Sequence, residues 1–544
     1  VIPELVAAAE FCKGTYSARD GDFSSAGSAR VAYRNSLPTP IVTVATGQDG
    51  HARLFAGASR TAGPGHLLGA IEVRHEDGPW VRPDDYRKLG AFARFTVGTP
   101  ERGLSVTALA NDSRWDATDQ VPKRAVDSGR IDRFGNVDPS DGGTTHRYSL
   151  SGEYQSLDDE TTTRASAYLL DYRLDLFSNF TYFLDDTVHG DQIEQFDARH
   201  VLGFEVSRSI TDDWFAGDIR RTVGLAARHD QIGALGLYRT QARRRLSTLR
   251  ADRAYETSLS PYVEGDAVWT PGVRTIVGVR ADGFLFHDAS SYEPFTGGGF
   301  DGLLSPKASL VLGPWRGFEC DANAGLGFHS EDVRGANYSN GSGSGTSGVQ
   351  QAPAHFPIPG SASVPRTPLL TRTRGAEAGV KYAHGQRASI SASGWVLLMT
   401  SEYVFVGDAG VTELGRPSRR SGIEVSGAWA PADGLRLAAD GAWSRARFTD
   451  FDPAGDHVPG SIEGMLSSSL EYDRHGRAFG SIRLRYFGPR PLIEDGSVRS
   501  PASTTWNLEA GCRATGRWSA TLAVFNLLDA KVSDIDYFYT SRLP

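Results

Sequence analysis

The sequence predicts an all-β protein, a large antiparallel transmembrane β-barrel of about 22 strands. Three observations predict it. Apolar and polar residues alternate along most of the 544-residue chain. The connections between alternating segments are either very short or very long. No run of about 18 apolar residues occurs, which excludes a transmembrane helix but leaves tilted strands as a way to cross a membrane.

The alternation has the period of a β-strand, in which successive side chains point to opposite faces. It is clearest in four segments: 66–74, 89–97, 434–443 and 479–487. In the last of these, Ile482 and Leu484 lie opposite Arg483 and Arg485. Each segment therefore has one apolar face and one polar, often charged, face.

A soluble sandwich would alternate in the same way, but two features favour a membrane barrel. Tight connections such as 430–434 and 472–476 contrast with apparent long loops at 287–302 and 331–365, as in barrels with short turns on one rim and long loops on the other. Aromatic residues stand near strand ends, as a membrane-interface girdle would place them. They are Trp80, Tyr86, Trp395, Tyr403, Trp443, Tyr486 and Trp518.

Composition excludes several functional classes. A net charge of −8 and a pI near 5.9 argue against nucleic-acid binding, which requires a basic surface. Cys12, Cys320 and Cys512 are too far apart for a CxxC metal site or a disulfide framework. No hydrolase elbow, phosphate-binding loop or zinc-protease helix is found, so we expect no enzyme, no metal and no cofactor.

Several long motifs resemble TonB-dependent outer-membrane receptors. A Ser-Pro-Lys strand leads into a Gly-Phe-His-Ser-x-Asp-x-Arg-Gly segment within 305–336. The residues that carry this match are Gly327, Phe328, His329, Ser330, Asp332, Arg334 and Gly335. The segments 418–431, 485–511 and 523–539 also resemble late strands of the family, including its Asn-Leu-Leu-Asp turn.

The start of the chain resembles the last part of the receptor plug, the domain that fills the barrel. Lys13-Gly14, Gly21-Asp22-Phe23 and Ala26-Gly27 carry this match. The resemblance implies a plug end at 1–37 and a barrel at 38–544 whose final closing strand is missing. The start without Met indicates a processed form or a fragment. We expect exposed strand edges near both barrel termini, which favour aggregation.

The resemblance implies TonB-dependent uptake of a scarce substrate across the outer membrane of a Gram-negative bacterium. Among possible substrates, the resemblance favours ferric siderophores first, followed by cobalamin or oligosaccharides. The implied partners are outer-membrane lipid, TonB through the missing plug N-terminus, and a small molecule such as a metal chelate, with no nucleic acid. The alternative is a passive porin-like channel or surface-binding barrel without energy coupling. A secreted β-rich hydrolase or propeller would show a regular repeat, which we do not find.

Candidate ligand-binding residues lie at the ends of strands and in the long loops, where function concentrates. His329 and Arg334 either contact a ligand near the outer rim or stabilise a strand-to-loop transition. Loop aromatics either stack on a siderophore or sugar or pack the loops together. These aromatics are Tyr292, Phe295, Phe300, Tyr338 and Phe356.

Two charged groups have a structural and a functional interpretation. Asp450, Asp452 and Asp456 resemble a calcium loop, but Ala454 replaces one ligand, and we favour a solvated hairpin loop. Inward arginines either attract anionic ligands or pair with carboxylates of the plug and neighbouring strands, and we favour pairing. They are Arg94, Arg436, Arg483 and Arg485.

Overall fold

The structure is a computed structural model that describes residues 2–214, 217–291, 296–331, 333, 368–402, 404–406, 411–413, 415–474, 476–533 and 535–544. Two short helices are described, a 3₁₀ helix at Pro3–Leu5 and α1 at Lys123–Asp127. The described strands are β1 (Val6–Lys13), β2 (Gly27–Tyr33), β3 (Ile41–Thr46), β4 (Ala52–Ala62), β5 (Gly65–Glu76), β6 (Tyr86–Gly98), β7 (Arg102–Asp116), β8 (Gly142–Leu157), β9 (Thr161–Ser178), β10 (Ile193–Trp214), β11 (Gly217–Gln241), β12 (Arg244–Thr270), β13 (Val273–Ser290), β14 (Gly297–Trp315), β15 (Phe318–Ser330), β16 (Leu370–His384), β17 (Ala388–Met399), β18 (Val404–Val406), β19 (Val411–Glu413), β20 (Ser418–Ala432), β21 (Leu435–Phe448), β22 (Gly464–Asp473), β23 (Ala478–Phe487), β24 (Ser503–Thr515) and β25 (Trp518–Val524).

One antiparallel sheet of 21 strands forms the wall, which confirms the predicted fold class and its approximate strand count. Each strand from β3 to β17 pairs with the next, β17 pairs with β20, and the series continues to β25. Two smaller hairpins stand apart from the wall, β1–β2 and β18–β19. Neighbours in sequence are neighbours in space, as expected for short connections.

The wall is not closed between its first and last strands. The strand order places β25 next to β3, but among the residue pairs of the described strands none joins these two, so we regard the wall as open there. The outward side chains along this seam are exposed: Val42 is 69%, Val44 70% and Leu522 67% accessible. That a closing strand belongs at this position stays a prediction of the family resemblance.

The two faces of the wall follow the predicted alternation. Glu424 of β20 pairs with Lys13 of the N-terminal hairpin, so its face of the strand points into the lumen. Following the register from Glu424 through Ala442 of β21 puts Met465 and Ser467 of β22 in the lumen and Leu466 and Leu470 outside. No helix of the described residues is long and apolar enough to cross a membrane.

The connections sort into two rims, as predicted. One rim has tight turns such as 63–64, 99–101 and 433–434, and the other has long connections such as 117–141 and 179–192. The predicted loop 287–302 is mostly strand, however, because β13 runs to Ser290 and β14 begins at Gly297. Its glycines pair backbone to backbone with β13, so the hairpin continues above the rest of the wall.

The predicted aromatic girdle is only partly correct. Trp443 (59% exposed) and Trp518 (74%) lie on the outer surface, and Tyr486 shares the outward face of β23 with Leu484. Trp395 instead lies on the lumen face of β17, opposite Glu377. Trp80 belongs to the β5–β6 loop, where its indole donates to Asp84. Tyr86 packs against Arg74, and Tyr403 lies outside the described residues.

The N-terminal segment lies inside the barrel and supplies an apolar core there. Ile2 and Leu5 pack with Phe55, Leu68 and Phe92, which are buried side chains on the lumen faces of β4, β5 and β6. A barrel of this size leaves room in its interior, and an internal segment is needed to fill it. The β1–β2 hairpin then rises into the lumen.

The two faces of β22 provide a test of the membrane-facing assignment. We expect Leu470→Arg to lower the free energy of unfolding in lipid by about 2–4 kcal/mol, because the charge enters the apolar band. Ser467→Arg on the same strand is the matched control, since it points into the polar lumen opposite Asp440. Urea unfolding in vesicles measures both, and an equal cost for the two variants would contradict the assignment.

Candidate binding site in the barrel lumen

The loop between β1 and β2, residues 14–26, is the candidate site and is named here the apex loop. It is held to the inner wall through Thr15, whose hydroxyl donates to the carbonyl of Leu326 on β15 at 3.1 Å. Lys307 of β14 reaches the same loop, with Nζ 2.8 Å from the carbonyl of Asp20 and 3.4 Å from Thr15 Oγ1. Lys307 is 3% exposed, so its charge is held by these apex-loop oxygens.

Acidic residues of the wall hold the next part of the loop. Glu205 of β10 accepts from Arg19 Nε at 2.7 Å and from the hydroxyl of Tyr262 at 3.0 Å. Glu264 of β12 accepts from the backbone N–H of Ala18 at 2.8 Å. Charge-assisted hydrogen bonds of this kind are stronger than neutral ones. They are still non-covalent, so the loop can detach from the wall.

Arg280 of β13 joins the wall to the apex loop from below. Its Nη1 donates to the carbonyl of Arg19 at 3.1 Å, and its Nε donates to Asp282 at 2.7 Å. With Thr373 of β16 donating to Ser25 at 2.9 Å, the loop contacts β10 and each strand from β12 to β16.

Glycines of β15 allow the loop to approach the wall closely. A Cβ at Gly325 would lie 2.5 Å from the carbonyl oxygen of Thr15, and one at Gly327 would lie 2.4 Å from its hydroxyl. Either contact is too short for a real side chain, so glycine is required by the position of Thr15. Gly327 belongs to the motif that carried the family resemblance.

The tip of the apex loop meets the end of β15. Asp22 accepts from the backbone N–H of Ser330 at 2.6 Å and from its hydroxyl at 2.5 Å. The rings of Phe23 and His329 lie 5.7 Å apart. Phe23 has a positive φ of 59° and is 69% exposed, so a strained backbone presents an aromatic face toward the loop rim.

Of the residues predicted to contact a ligand, the described part of the chain includes His329 and Phe300. His329 lies at the end of β15, against the apex loop and beside Phe23. This position agrees with the predicted structural role at a strand-to-loop transition. Arg334, Tyr292, Phe295 and Tyr338 lie outside the described residues, as does Phe356. Phe300 is on the outer face of β14, 72% exposed and opposite Leu285, and so does not face the lumen.

Sequence analysis missed the residues that connect the loop to the wall. Thr15 and Arg280 carried no recognisable signal, because each is a single polar residue in an alternating strand or a short loop. Lys307 is the lysine of the Ser-Pro-Lys motif, but the motif did not indicate its contact with the loop. The preference for paired inward arginines is confirmed for Arg94, which donates to Thr107 at 2.6 Å and forms an ion pair with Glu153 at 2.8 Å. Its Nε also donates to Asn35 at 3.0 Å.

A carboxylate cluster lies in the long connections above the barrel. Gln192 donates to Asp141 at 3.0 Å and to Ser140 at 2.7 Å, and Asn179 donates to Asp138 at 2.7 Å. Burial raises the pKa of Asp141 to about 9, and the carboxylates of Asp119 and Asp138 act in the same direction. Asp141 is therefore protonated at neutral pH and hydrogen-bonded to Asp119.

Two acidic groups outside the lumen bear on metal binding. Asp450 accepts from Arg416 at 2.9 Å and Asp456 lies 3.6 Å from Arg447, which agrees with a hairpin loop held by arginines. In the β5–β6 region, His75, Asp77 and Asp85 offer ligand atoms within 4.8 Å of one another. This group forms no part of the lumen, and sequence spacing did not indicate it.

The arrangement is suited to binding and gated passage. The apex loop lies in the lumen, with the exposed ring of Phe23 beside His329 of β15 at its tip. Polar contacts that can exchange with water hold the loop in place. We expect Lys307→Met to raise ion conductance in planar bilayers, because the loop loses two contacts and an apolar side chain replaces its buried cation.

Lys381→Met is the control for that variant. Lys381 is an exposed lysine on the lumen face of β16, so its loss changes lumen charge without touching the apex loop. Equal conductance in the two variants would show that Lys307 does not hold the loop.

The carboxylate cluster predicts a pH dependence of the connections 117–141 and 179–192. Folding raises the pKa of the Asp141 carboxyl from its ordinary value of 3.8. The protonated carboxyl therefore stabilises the fold fully below pH 3.8, and this stability is lost as pH rises through about 9. We expect the protection factors of amides in these connections, which correct for the base-catalysed rise of exchange with pH, to fall over that range. Asp141→Asn should abolish the dependence, whereas Asp132→Asn, at an exposed site in the same connection, should retain it.

Comparison with known proteins identifies the relatives of this fold. The siderophore receptor PiuA of Acinetobacter baumannii matches with a TM-score of 0.77 at 12% identity, over 97% of this chain and 82% of that one. The pyoverdine receptor FpvA of Pseudomonas aeruginosa matches with 0.76 at 11% identity, over 99% and 81%. The copper transporter OprC matches with 0.73 at 15% identity, over 97% and 81%.

No curated protein sequence matches the chain significantly. A family model described as "TonB dependent receptor-like, beta-barrel" matches residues 77–527, which is most of the chain. With the 21-strand wall and the filled lumen, this match confirms the resemblance drawn from the motifs: the chain belongs to the TonB-dependent receptor β-barrel family.

Proposed function

We propose that the protein takes up a scarce small molecule through its barrel, driven by TonB acting on the plug. The observation that supports this most is the position of the apex loop, which lies in the lumen and is held by hydrogen bonds and ion pairs to β10 and β12–β16. A loop held in this way can be withdrawn by a pull and can return, because its polar groups find water when displaced.

We propose that residues 1–37 are the end of a plug domain and residues 38–544 the barrel. The lumen position of the β1–β2 hairpin supports this division, since its contacts are with the inner wall. The remainder of the plug would carry the segment that TonB binds. The barrel would lie in the outer membrane of a Gram-negative bacterium, with lipid on its apolar outer face.

We propose a ferric siderophore or a similar metal chelate as the substrate. PiuA is described as a siderophore receptor, FpvA as a pyoverdine receptor and OprC as a copper transporter, so proteins of similar fold differ in cargo. Phe23 supports a planar or aromatic ligand, because its ring is 69% exposed at the loop tip, beside His329. We propose that Arg334, Tyr292, Phe295 and Tyr338 complete the site from the long loops.

The alternative is a passive porin-like channel without energy coupling. The apex loop weighs against it, since it lies in the lumen and is bound to the inner wall, whereas free passage requires an open interior. The chemistry proposed here is binding and passage, with no catalytic step.

Uptake in cells that express the full-length gene tests the proposal. We expect growth on one class among ferric siderophores, cobalamin and oligosaccharides, and we expect that growth to require TonB. Permeation that is indifferent to TonB would overturn the proposal and support the passive channel. Phe23→Ala should weaken binding of the substrate so identified, while Phe300→Ala, on the outer face, should not.

A further inference from the structure

One histidine and two aspartates converge where β5 and β6 reach the rim of long connections. His75 is the last residue but one of β5, Asp77 opens the connection 77–85, and Asp85 ends it. His75 Nε2 lies 3.3 Å from Asp77 Oδ1, and His75 Nδ1 lies 3.7 Å from Asp85 Oδ1. In the part of the chain that the structure describes, their ligand atoms lie within 4.8 Å of one another. We name these three residues the rim triad.

The separations within the rim triad are close to those around a single metal ion. Zinc binds imidazole nitrogen and carboxylate oxygen at about 2.1 Å, so two ligand atoms of one ion are at most about 4.2 Å apart. An ion uses one nitrogen of His75, and the outer separation of 4.8 Å then has to shrink by about 0.6 Å at most. The three side chains are partly exposed, so rotation of their terminal groups can supply this movement.

The backbone holds the two aspartates of the triad near each other. The N–H of Asp84 donates to the carbonyl of Asp77 at 2.9 Å, and the N–H of Asp77 donates to the carbonyl of Asp49 at 2.8 Å. Asp85 has a φ of 43°, which non-glycine residues rarely adopt. Strain of this kind persists only where the surrounding structure fixes it. The connection therefore positions both carboxylates beside His75 without help from an ion.

The charge of this connection favours a cation. Residues 76–85 contain four carboxylates and one arginine, which leaves a net charge of −3. The arginine is Arg82, and its guanidinium lies 3.5 Å from the carboxylate of Asp116, outside this segment. The negative charge around the triad is therefore only partly neutralised from within the connection.

Arg87 and Arg114 are basic residues of the wall that face Asp85. Arg87 Nη2 lies 2.8 Å from Asp85 Oδ1, whereas Arg114 Nη2 lies 3.9 Å from Asp85 Oδ2. Both arginine side chains are more than half exposed. Ion pairs between exposed groups are weak, so an ion held by three ligands can displace Arg87 from the carboxylate. Arg87 is thus a competitor whose removal should favour the ion.

We propose that the rim triad binds one divalent transition-metal ion, for which zinc is the reference case. His75 supplies a nitrogen, Asp77 and Asp85 supply one oxygen each, and water completes the coordination. The imidazole separates this site from calcium and magnesium sites, which are built from oxygen ligands. The spacing His-x-Asp-x₇-Asp matches no recognised metal motif, so the sequence alone predicted no metal.

The bound ion would order a larger part of the rim. The N–H of Val81 donates to the carbonyl of Phe134 at 2.9 Å, and the N–H of Asp116 donates to the carbonyl of Asp84 at 2.7 Å. These bonds join the connection 77–85 to the connection 117–141. Fixing both ends of the first connection should therefore stabilise the contacts between the two, and the proposed role is structural.

Isothermal titration of Zn²⁺ into the purified, untagged protein in detergent tests the site. His75→Ala and Asp77→Asn should each weaken zinc binding by about tenfold or more, since each removes a ligand. His189→Ala is the matched control, because His189 lies 3.0 Å from the carboxylate of Asp186 but is not part of the triad. It should leave the affinity unchanged. Equal affinity in His75→Ala and His189→Ala would overturn the proposal.

A variant with the opposite expected effect separates ligation from damage to the fold. Arg87→Gln should tighten zinc binding by up to about fivefold, the factor that corresponds to one exposed ion pair. Unchanged or weaker binding would overturn the assignment of Asp85 as a ligand. Heat-modifiable migration shows that each variant is folded.

Two further measurements test the ion class and its role. Ca²⁺ should bind much more weakly than Zn²⁺, and equal affinity would overturn coordination by the imidazole. Zn²⁺ should raise the protection of amides in 77–85 against hydrogen exchange in the unmodified protein but not in His75→Ala. Protection that zinc leaves unchanged in both would overturn the structural role.

Discussion

The hydrogen bonds and ion pairs between the apex loop and the inner wall are the interactions on which the rest of the structure depends. A barrel of 21 strands encloses a space that its own side chains do not fill. The loop occupies that space and satisfies buried groups such as Lys307, which would be costly without a partner. Close packing at Gly325 and Gly327 then sets how near the loop lies to β15.

Each strand of the wall faces the polar lumen on one side and lipid on the other, and this explains why polar and apolar residues alternate along it. Every second side chain faces the lumen, where Arg94 and Glu205 find partners, and the others face lipid, where Leu150 and Leu169 are exposed without cost. Polar side chains return on the outer face toward the rims, as Asp212 and Arg221 do where β10 ends and β11 begins.

Passage and gating follow from the strength of the contacts. Most contacts of the apex loop are hydrogen bonds or ion pairs, and several are at least partly accessible to water, as Arg19 is. Such contacts exchange readily with water when the loop is drawn away. The apolar core of Ile2 and Leu5 against the wall would resist separation more. The exposed ring of Phe23 at the loop tip would connect ligand contact directly to the element that has to move.

Much of the fold could be read from the sequence, because strand period, rim asymmetry and long family motifs are local properties. The faces of 66–74 and 479–487, the two rims and the strand pair around Gly327 were predicted in this way. Two predictions from local patterns were wrong. Trp395 faces the lumen rather than the membrane interface, and the glycine-rich start of β14 is strand rather than loop. Glycine composition alone does not tell a loop from a strand whose partner supplies the pairing.

The contacts of the candidate site were not predictable from the sequence. By itself the sequence determined the barrel and its family, and a ligand site near His329 stays a prediction. The tertiary structure alone decided that Thr15 meets Leu326, 311 residues away, and that Lys307 meets the carbonyl of Asp20. The physical reason is that such contacts depend on the register of many strands and on the depth at which the hairpin sits, and neither leaves a local pattern in the chain.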